Sequence, residues 1–437
     1  MAPAFLKRIR LRRVTKIPAP VTVASLVIVL LCILGIQNNG RYPIRDVYLR
    51  KDGSKQKGRA PPAKDPRKCF DENPWITKSL DHFFKPVLES AERSDQTSEE
   101  SIEAMGNIKW GEYHPGQDVV ELLYNKDRKT YDVNITERHP ANQPHKSRCI
   151  RMVMERALEE YSTYLAEQLH GRDFKFVVTT EDFGLLFRGE NFRLPSFALS
   201  TDHDHIDIPV PDFTFGCYPE TKYENDSWHD VRTLLLNEGD SRAWSDRKDV
   251  IFHRSNWDVG PRRGLMPLLE KLHKKGKDKE TLGMVLDIGN TGFVVSNEEK
   301  FVYLHEQCVN KVLIHTAGFS YSAGLKYKLA CGSLVIKFKS KFEEFFEPGL
   351  EDGVHAVMVD ASHEGVDEGT FFNVSAPRIK KAVRKTINKH SSIAKGGQDF
   401  IRRNLTDEAL NCYWYGALLR YGDLYAKYYD VDTPSKE

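Results

Sequence analysis

The sequence predicts an α/β protein built on parallel sheets and preceded by one N-terminal transmembrane helix. Three observations carry this prediction. Short apolar runs alternate with segments of helical period along most of the chain. An uncharged apolar stretch stands near the N-terminus behind a cluster of cations. The charge is also divided: residues 1–68 hold 16 Lys/Arg against 3 Asp/Glu, a balance of +13, which leaves −11 on the remainder of a 437-residue chain whose total is only +2. The hydrophobic content of 40% excludes a disordered polyampholyte and allows one large or two medium domains. The acidic head argues against a nucleic-acid partner.

Lys7, Arg8, Arg10, Arg12, Arg13 and Lys16 precede the uncharged run Ile17–Ile36. As a helix, that run rises about 30 Å, the thickness of a bilayer core. Cations on its N-terminal side keep residues 1–16 cytosolic and send the rest to the lumen, a type II topology. A cleaved signal peptide is the alternative, but its apolar region is shorter and ends at a small-x-small site, which Gly35-Ile36-Gln37-Asn38 does not offer. Residues 37–68, basic and rich in Gly and Pro, read as a flexible stem. N-x-S/T sequons at Asn134, Asn225, Asn373 and Asn404 all fall on the luminal side, and so do Cys69, Cys149, Cys217, Cys308, Cys331 and Cys412. Six cysteines permit up to three disulfides, with no pairing readable and buried free thiols as the alternative.

Residues 69–148 show no clear period and are expected to wrap the core irregularly. From Ile150 to Leu169 apolar positions recur at helical spacing, with Gly171 as the stop. Phe174–Val178 is a strand, followed by strands at Val250–His253, Met284–Ile288, Val312–His315 and Leu334–Phe338, with helices such as Gly264–His273 and Ser322–Ala330 between them. Ligands of such sheets bind at the carboxyl ends of strands. The C-terminal helix Thr406–Tyr429 carries an aromatic stripe expected to pack on a sheet.

No G-x-G-x-x-G, P-loop, G-x-S-x-G or H-E-x-x-H occurs, so the chemistries that those motifs serve lose support. What remains are carboxylates and cations at strand ends. Asp182 follows the strand at 174–178 and can act as a general base, or cap a helix. Arg254, Ser255, Arg262 and Arg263 gather after another strand, where guanidinium forks suit a diphosphate; surface ion pairing is the alternative. Gly318, Ser320 and Ser322 form a loop at a predicted helix start that can hold an anion, although Ser is also an ordinary N-cap. Asp202-x-Asp204 formally fits the DxD pattern of metal-dependent sugar transferases.

Read together, these segments resemble glycosyltransferase family 90, the protein O-glucosyltransferase and capsular xylosyltransferase group, in its fungal- or protist-type branch. Phe176–Asp182, Pro195-Ser196-Phe197, Asp207–Phe215, Tyr218-Pro219-Glu220, Phe252–Ser255 with Arg262, Lys311, Gly318–Ser322, Leu325–Val335, Phe345-Phe346, His355 and Cys412-Tyr413-Trp414 follow the family's order over residues 150–430. The resemblance implies a GT-B fold of two Rossmann-like domains facing a cleft. Residues 69–245 would be the acceptor side, 246–395 the nucleotide-sugar domain, and 396–437 helices packing back on the head. It implies inverting, metal-independent transfer of a sugar, glucose or xylose, from a UDP-sugar to a luminal glycan or protein. Asp182 would be the base. Arg254, Ser255, Arg262, Arg263, Lys311, Gly318, Ser320, Ser322 and Lys326 would bind the donor, with Asp207 and Asp212 on the acceptor side. With the anchor through residues 17–36, the expectation is a Golgi or endoplasmic-reticulum enzyme that needs no cofactor. Three positions depart from the family: Gly184 where proline is common, Ser255 in place of a glycine, and Gly324 in place of an arginine of the animal enzymes. A GT-A transferase using Asp202 and Asp204, and an inactive membrane-tethered carbohydrate-binding protein, are the alternatives.

Overall fold

The structure, a computed structural model, describes residues 65–429 apart from 219–220, 222, 224–226, 293–299, 361–366 and 388–390. The predicted cytosolic tail, membrane span and most of the stem lie outside the described residues, as does Asn225. Among the described residues no helix is long and apolar enough to cross a membrane.

The head is α/β with two five-stranded sheets. Helices α1 (Pro66–Glu72), α2 (Pro74–Ala91) and α3 (Ser98–Gly106) precede a hairpin of β1 (Gln117–Asn125) and β2 (Thr130–His139). Then come α4 (Pro144–Gln168), β3 (Phe174–Thr179), β4 (Phe197–Ala198), β5 (Ile208–Pro209) and α5 (Trp228–Asp240). The second sheet is built from β6 (Lys248–Ser255), α6 (Arg262–Lys274), α7 (Asp278–Leu282), β7 (Val285–Asn290), β8 (Asn310–His315), α8 (Leu325–Ala330), β9 (Leu334–Phe338) and β10 (Val357–Val359). Helices α9 (Ala376–Ile387), α10 (Ser392–Asn404) and α11 (Asp407–Lys427) close the chain.

The first sheet runs β2-β1-β3-β4-β5, with β3, β4 and β5 parallel and β1 antiparallel to both its neighbours. The second runs β10-β9-β8-β6-β7 and is parallel throughout. Its strands are apolar on both faces because helices cover both. Alternation divides them: Ile251, Val312, Ile314, Leu334 and Ile336 enter a core with α6 and α9, whereas Phe252, Leu313 and Val335 enter a larger core shared with the first sheet. The aromatic stripe of α11 packs as expected, with Trp414 against Phe197 and Tyr421 against Phe176.

The irregular wrapping expected of residues 69–148 is wrong. Trp75, Ile76, Leu80, Phe83, Phe84 and Val87 form one buried face of α2, a helical period that tolerates Pro86 in its interior. The stem also ends earlier than expected, because Asp65 caps a helix already formed at Pro66. All six cysteines of the head are paired, as Cys69–Cys412, Cys149–Cys217 and Cys308–Cys331.

Candidate active site

After β6 the chain crosses to β7 on one side and later returns to β8 on the other, so the carboxyl ends of β6 and β8 form a topological switch point. A cavity of about 320 Å³ opens there, lined by Arg254, Ser255 and Arg262 after β6 and by Ser322, Gly324 and Lys328 after β8. No carboxylate is among its described lining residues. Arg262 donates to Ser322 Oγ at 3.1 Å and Thr316 O at 3.3 Å, and loss of water pushes its pKa down to about 10. Ser255 Oγ donates to His253 Nε2 at 2.7 Å while His253 Nδ1 donates to Ile314 O at 3.0 Å. Burial, then the nearby Lys328 and Arg262 charges, hold His253 well below its ordinary pKa, so the ring is neutral. Arg254 stands at the rim over the Phe252 ring, with its guanidinium on the Asp287 carboxylate at 2.7 Å. Gly260 has φ +47° and packs against the backbone of Gly318, so the loop before α6 and the loop after β8 touch through two glycines.

Five predicted donor-binding residues are not among the described lining: Arg263, Lys311 and Lys326, and Gly318 and Ser320 in the loop after β8. Arg263 is exposed and donates to Asp258 O at 2.7 Å. Lys311 sits at the amino end of β8, paired with Asp249 at 2.6 Å, on the far edge of the sheet from the cavity. Lys326 is fully buried: its ammonium donates to Thr214 Oγ1 at 2.5 Å, 3.6 Å from Asp212. Helix geometry explains the last, since residues 324 and 328 share a face and residue 326 points away. The predicted helix start at Ser322 also moves, because α8 begins at Leu325 with Gly324 as its N-cap.

On the first sheet, Asp182 follows the carboxyl end of β3. Its carboxylate accepts from Lys146 Nζ at 2.5 Å and remains 41% exposed, free to meet a ligand. Its carbonyl accepts from Ser200 Oγ at 2.8 Å and from Ser320 Oγ at 2.5 Å. Ser320 therefore holds the Asp182 loop instead of lining the donor cavity, and through it the carboxyl ends of the two sheets meet. Gln143, at the N-cap of α4, lines the cavity three residues before Lys146. Beside Asp182, Phe183 stacks on Trp110 at 5.0 Å and approaches Phe319, which is 68% exposed.

Asp207 and Asp212, expected on the acceptor side, are buried supports. Asp207 accepts from Leu186 N at 2.9 Å and from Ser196 Oγ, and burial raises its pKa. Asp212 accepts from Thr214 N at 3.0 Å and from Tyr321 OH at 2.9 Å, joining the two halves of the head. The Asp202 carboxylate, fully buried, is engaged by His205 Nδ1 at 2.6 Å and Lys341 Nζ at 2.9 Å, so a lysine stands where the DxD reading needs a metal. Asp202 lines a separate cavity with His82 and Arg188. Among the described residues no group of three or more His, Cys, Asp or Glu is arranged to hold a metal ion. Asn134 and Asn373 are exposed and Asn404 is half-buried.

Two functional candidates escaped the sequence reading. Lys146 carried no signal in a stretch rich in Pro and His. Lys328 did carry one, four residues after Gly324 and so on its helix face.

The family model of Glycosyl transferase family 90 matches residues 146–436. Protein O-glucosyltransferase 1 of Homo sapiens is 24% identical over 273 residues, 60% of this chain and 67% of that protein. Its Rattus norvegicus namesake is 24% identical over 254 residues, 57% of this chain and 62% of that protein. The O-glucosyltransferase rumi homolog of Aedes aegypti is 24% identical over 265 residues, 58% of this chain and 62% of that protein. The matches thus span about two thirds of the relatives' own length.

Proposed function

The chain belongs to glycosyl transferase family 90, a family of glycosyltransferase enzymes, and from that premise we propose that it transfers a sugar from a UDP-sugar to an acceptor hydroxyl with inversion, on a GT-B architecture. The observation that carries the reading is the cavity at the β6/β8 switch point, lined by cations and, among its described residues, by no carboxylate, with its loop at 318–322 hydrogen-bonded to the Asp182 backbone. The cations suit a diphosphate, and the adjoining carboxylate suits a base.

In this mechanism Asp182, oriented by Lys146, takes the proton of the acceptor hydroxyl. The freed oxygen forms its bond to the anomeric carbon as the bond to the UDP oxygen breaks. The negative charge left on UDP is met by Arg262 and the hydroxyl of Ser322, which Arg262 fixes in advance by its hydrogen bond to Ser322 Oγ. These groups can neutralise the leaving diphosphate without a metal. The names of the relatives favour glucose, with xylose as the second candidate donor sugar. Three disulfides support an oxidising compartment. With the run 17–36 as a type II anchor, the head faces the lumen of the Golgi or endoplasmic reticulum, toward a glycan or glycoprotein acceptor.

The test is UDP release by the full-length protein across a panel of UDP-sugars, with and without EDTA, followed by mass analysis of the product. Release that survives EDTA supports this reading, and release abolished by EDTA supports the Asp202/Asp204 alternative. UDP binding without turnover identifies a carbohydrate-binding protein, and neither binding nor release overturns the proposal.

A further inference from the structure

One charged group in the donor cavity has no answering charge among the described residues. Lys328 is only 8% exposed, lines the cavity, and its ammonium makes neither a hydrogen bond nor an ion pair with any described residue. The titratable and charged groups around it are Arg262 from α6, His253 and Arg254 from β6, His315 from β8, Tyr218, and Tyr327 of its own helix. None is a carboxylate, and Asp287, the partner of the rim residue Arg254, is already paired. An ammonium buried without a partner is costly, and a methionine or leucine would be more stable there. Gly324 stands one turn earlier: a side chain on it would meet Lys328 Nζ at 3.7 Å, so the glycine keeps open the space before the ammonium. A cation held in the cavity wall, with room in front of it and a second cation beside it, is a site for an anion of more than one charge.

We propose that Lys328 is a donor-binding residue whose ammonium reaches across the space over Gly324 to pair with the diphosphate, opposite Arg262. The inference rests on the reading of this cavity as the donor site. It also has a pH signature. Burial, and then the Arg262 charge, push the Lys328 pKa down to about 7 in the empty cavity, and an anion beside it restores it upward. Above pH 7 the empty cavity therefore holds mostly neutral lysine, and donor binding draws a proton from solvent onto Nζ. Affinity then falls as pH rises, by up to about tenfold per unit. Between pH 7 and 9 the two histidines and Arg262 beside Lys328 are silent. His253 and His315 are held well below their ordinary pKa by burial, and Arg262 titrates near 10. The terminal phosphate of UDP is ionised above a pKa of about 6.

The experiment is calorimetric titration of the full-length protein with UDP at pH 7, 8 and 9, in buffers of different ionisation heat. Wild type should lose roughly 10- to 50-fold in affinity from pH 7 to 9 and take up a proton on binding. Lys328→Met should bind more weakly at pH 7, with no proton uptake and a flat profile, and its unliganded form should melt at or above the wild-type temperature. Lys328→Arg, always charged, should bind tightly with a flat profile. Gly324→Arg combined with Lys328→Met should recover binding, since residue 324 has helical φ and a new Cβ there would make only ordinary contacts, at 3.7 Å or more. Wild-type affinity and an unchanged pH slope in Lys328→Met overturn the inference while leaving the donor reading intact. A wild type that binds no UDP at any of these pH values overturns the donor reading and the inference together.

Discussion

Gly260→Ala separates a glycine required by contact from one required only by backbone conformation. Gly260 has φ +47°, a region that costs an L-residue about 1–2 kcal/mol. Its new methyl would also stand 2.9 Å from the carbonyl carbon of Gly318 and closer still to the oxygen. Carbon and carbonyl oxygen ordinarily meet at about 3.3 Å or more, so the two loops together have to give way by roughly 1.5 Å. Overpacking of that kind adds about 1–3 kcal/mol, for a total of about 2–5 kcal/mol. The Gly318 loop carries Ser320, which holds the Asp182 carbonyl, and Ser322, which holds Arg262. A displacement of 1 Å there is expected to cost about a hundredfold in turnover. Gly276→Ala is the control, because Gly276 has φ +64° but nothing within 4 Å of a new methyl, which leaves only the conformational cost of about 1–2 kcal/mol. Thermal melting and UDP-release rates are measured on both. Gly260→Ala with wild-type turnover, or with the same loss as Gly276→Ala, would refute the claim that contact between these loops aligns the site.

Phe319→Ala removes a ring that is 68% exposed, so the melting temperature should hold. If the rings beside Asp182 stack on the acceptor, acceptor KM should rise by about 2- to 10-fold, the equivalent of one aromatic contact, with UDP affinity unchanged; a kinetic titration of acceptor checks this. The Cys69–Cys412 bridge joins residues 343 apart. Replacing both cysteines by serine should therefore cost about 5 kcal/mol in the chain-entropy account, seen as a shift in denaturant midpoint.

How far the sequence could be read depended on whether the deciding feature was local. The second sheet was legible because β6, β7, β8 and β9 are short β-branched runs separated by helical periods, and Leu334–Phe338 needed no adjustment. Asp182 was legible for the same reason, as the polar end of an apolar strand. Lys311 failed because a sequence marks a strand without saying which charged residue stands at its amino end. Lys326 failed, and Lys328 went unnoticed, because the two lie only two residues apart on a six-residue helix and face opposite sides. The burial of Asp207 and Asp212, expected on the acceptor side, was not legible because their partners, Leu186 N, Ser196, Tyr321 and Lys326, come from other parts of the chain. Lys146 meets Asp182 across 36 residues, a contact that no local pattern encodes.

The central claim, that Asp182 is the base of a sugar transfer, is tested most directly by the turnover number of Asp182→Asn with whichever UDP-sugar the wild type uses. Asparagine keeps an oxygen for the Lys146 hydrogen bond at 2.5 Å and leaves the backbone contacts to Ser200 and Ser320 in place, so fold and UDP affinity should persist. The expected result is a fall in kcat of about 10²- to 10⁴-fold, the worth of a positioned general base. A kcat within twofold or so of wild type would contradict it.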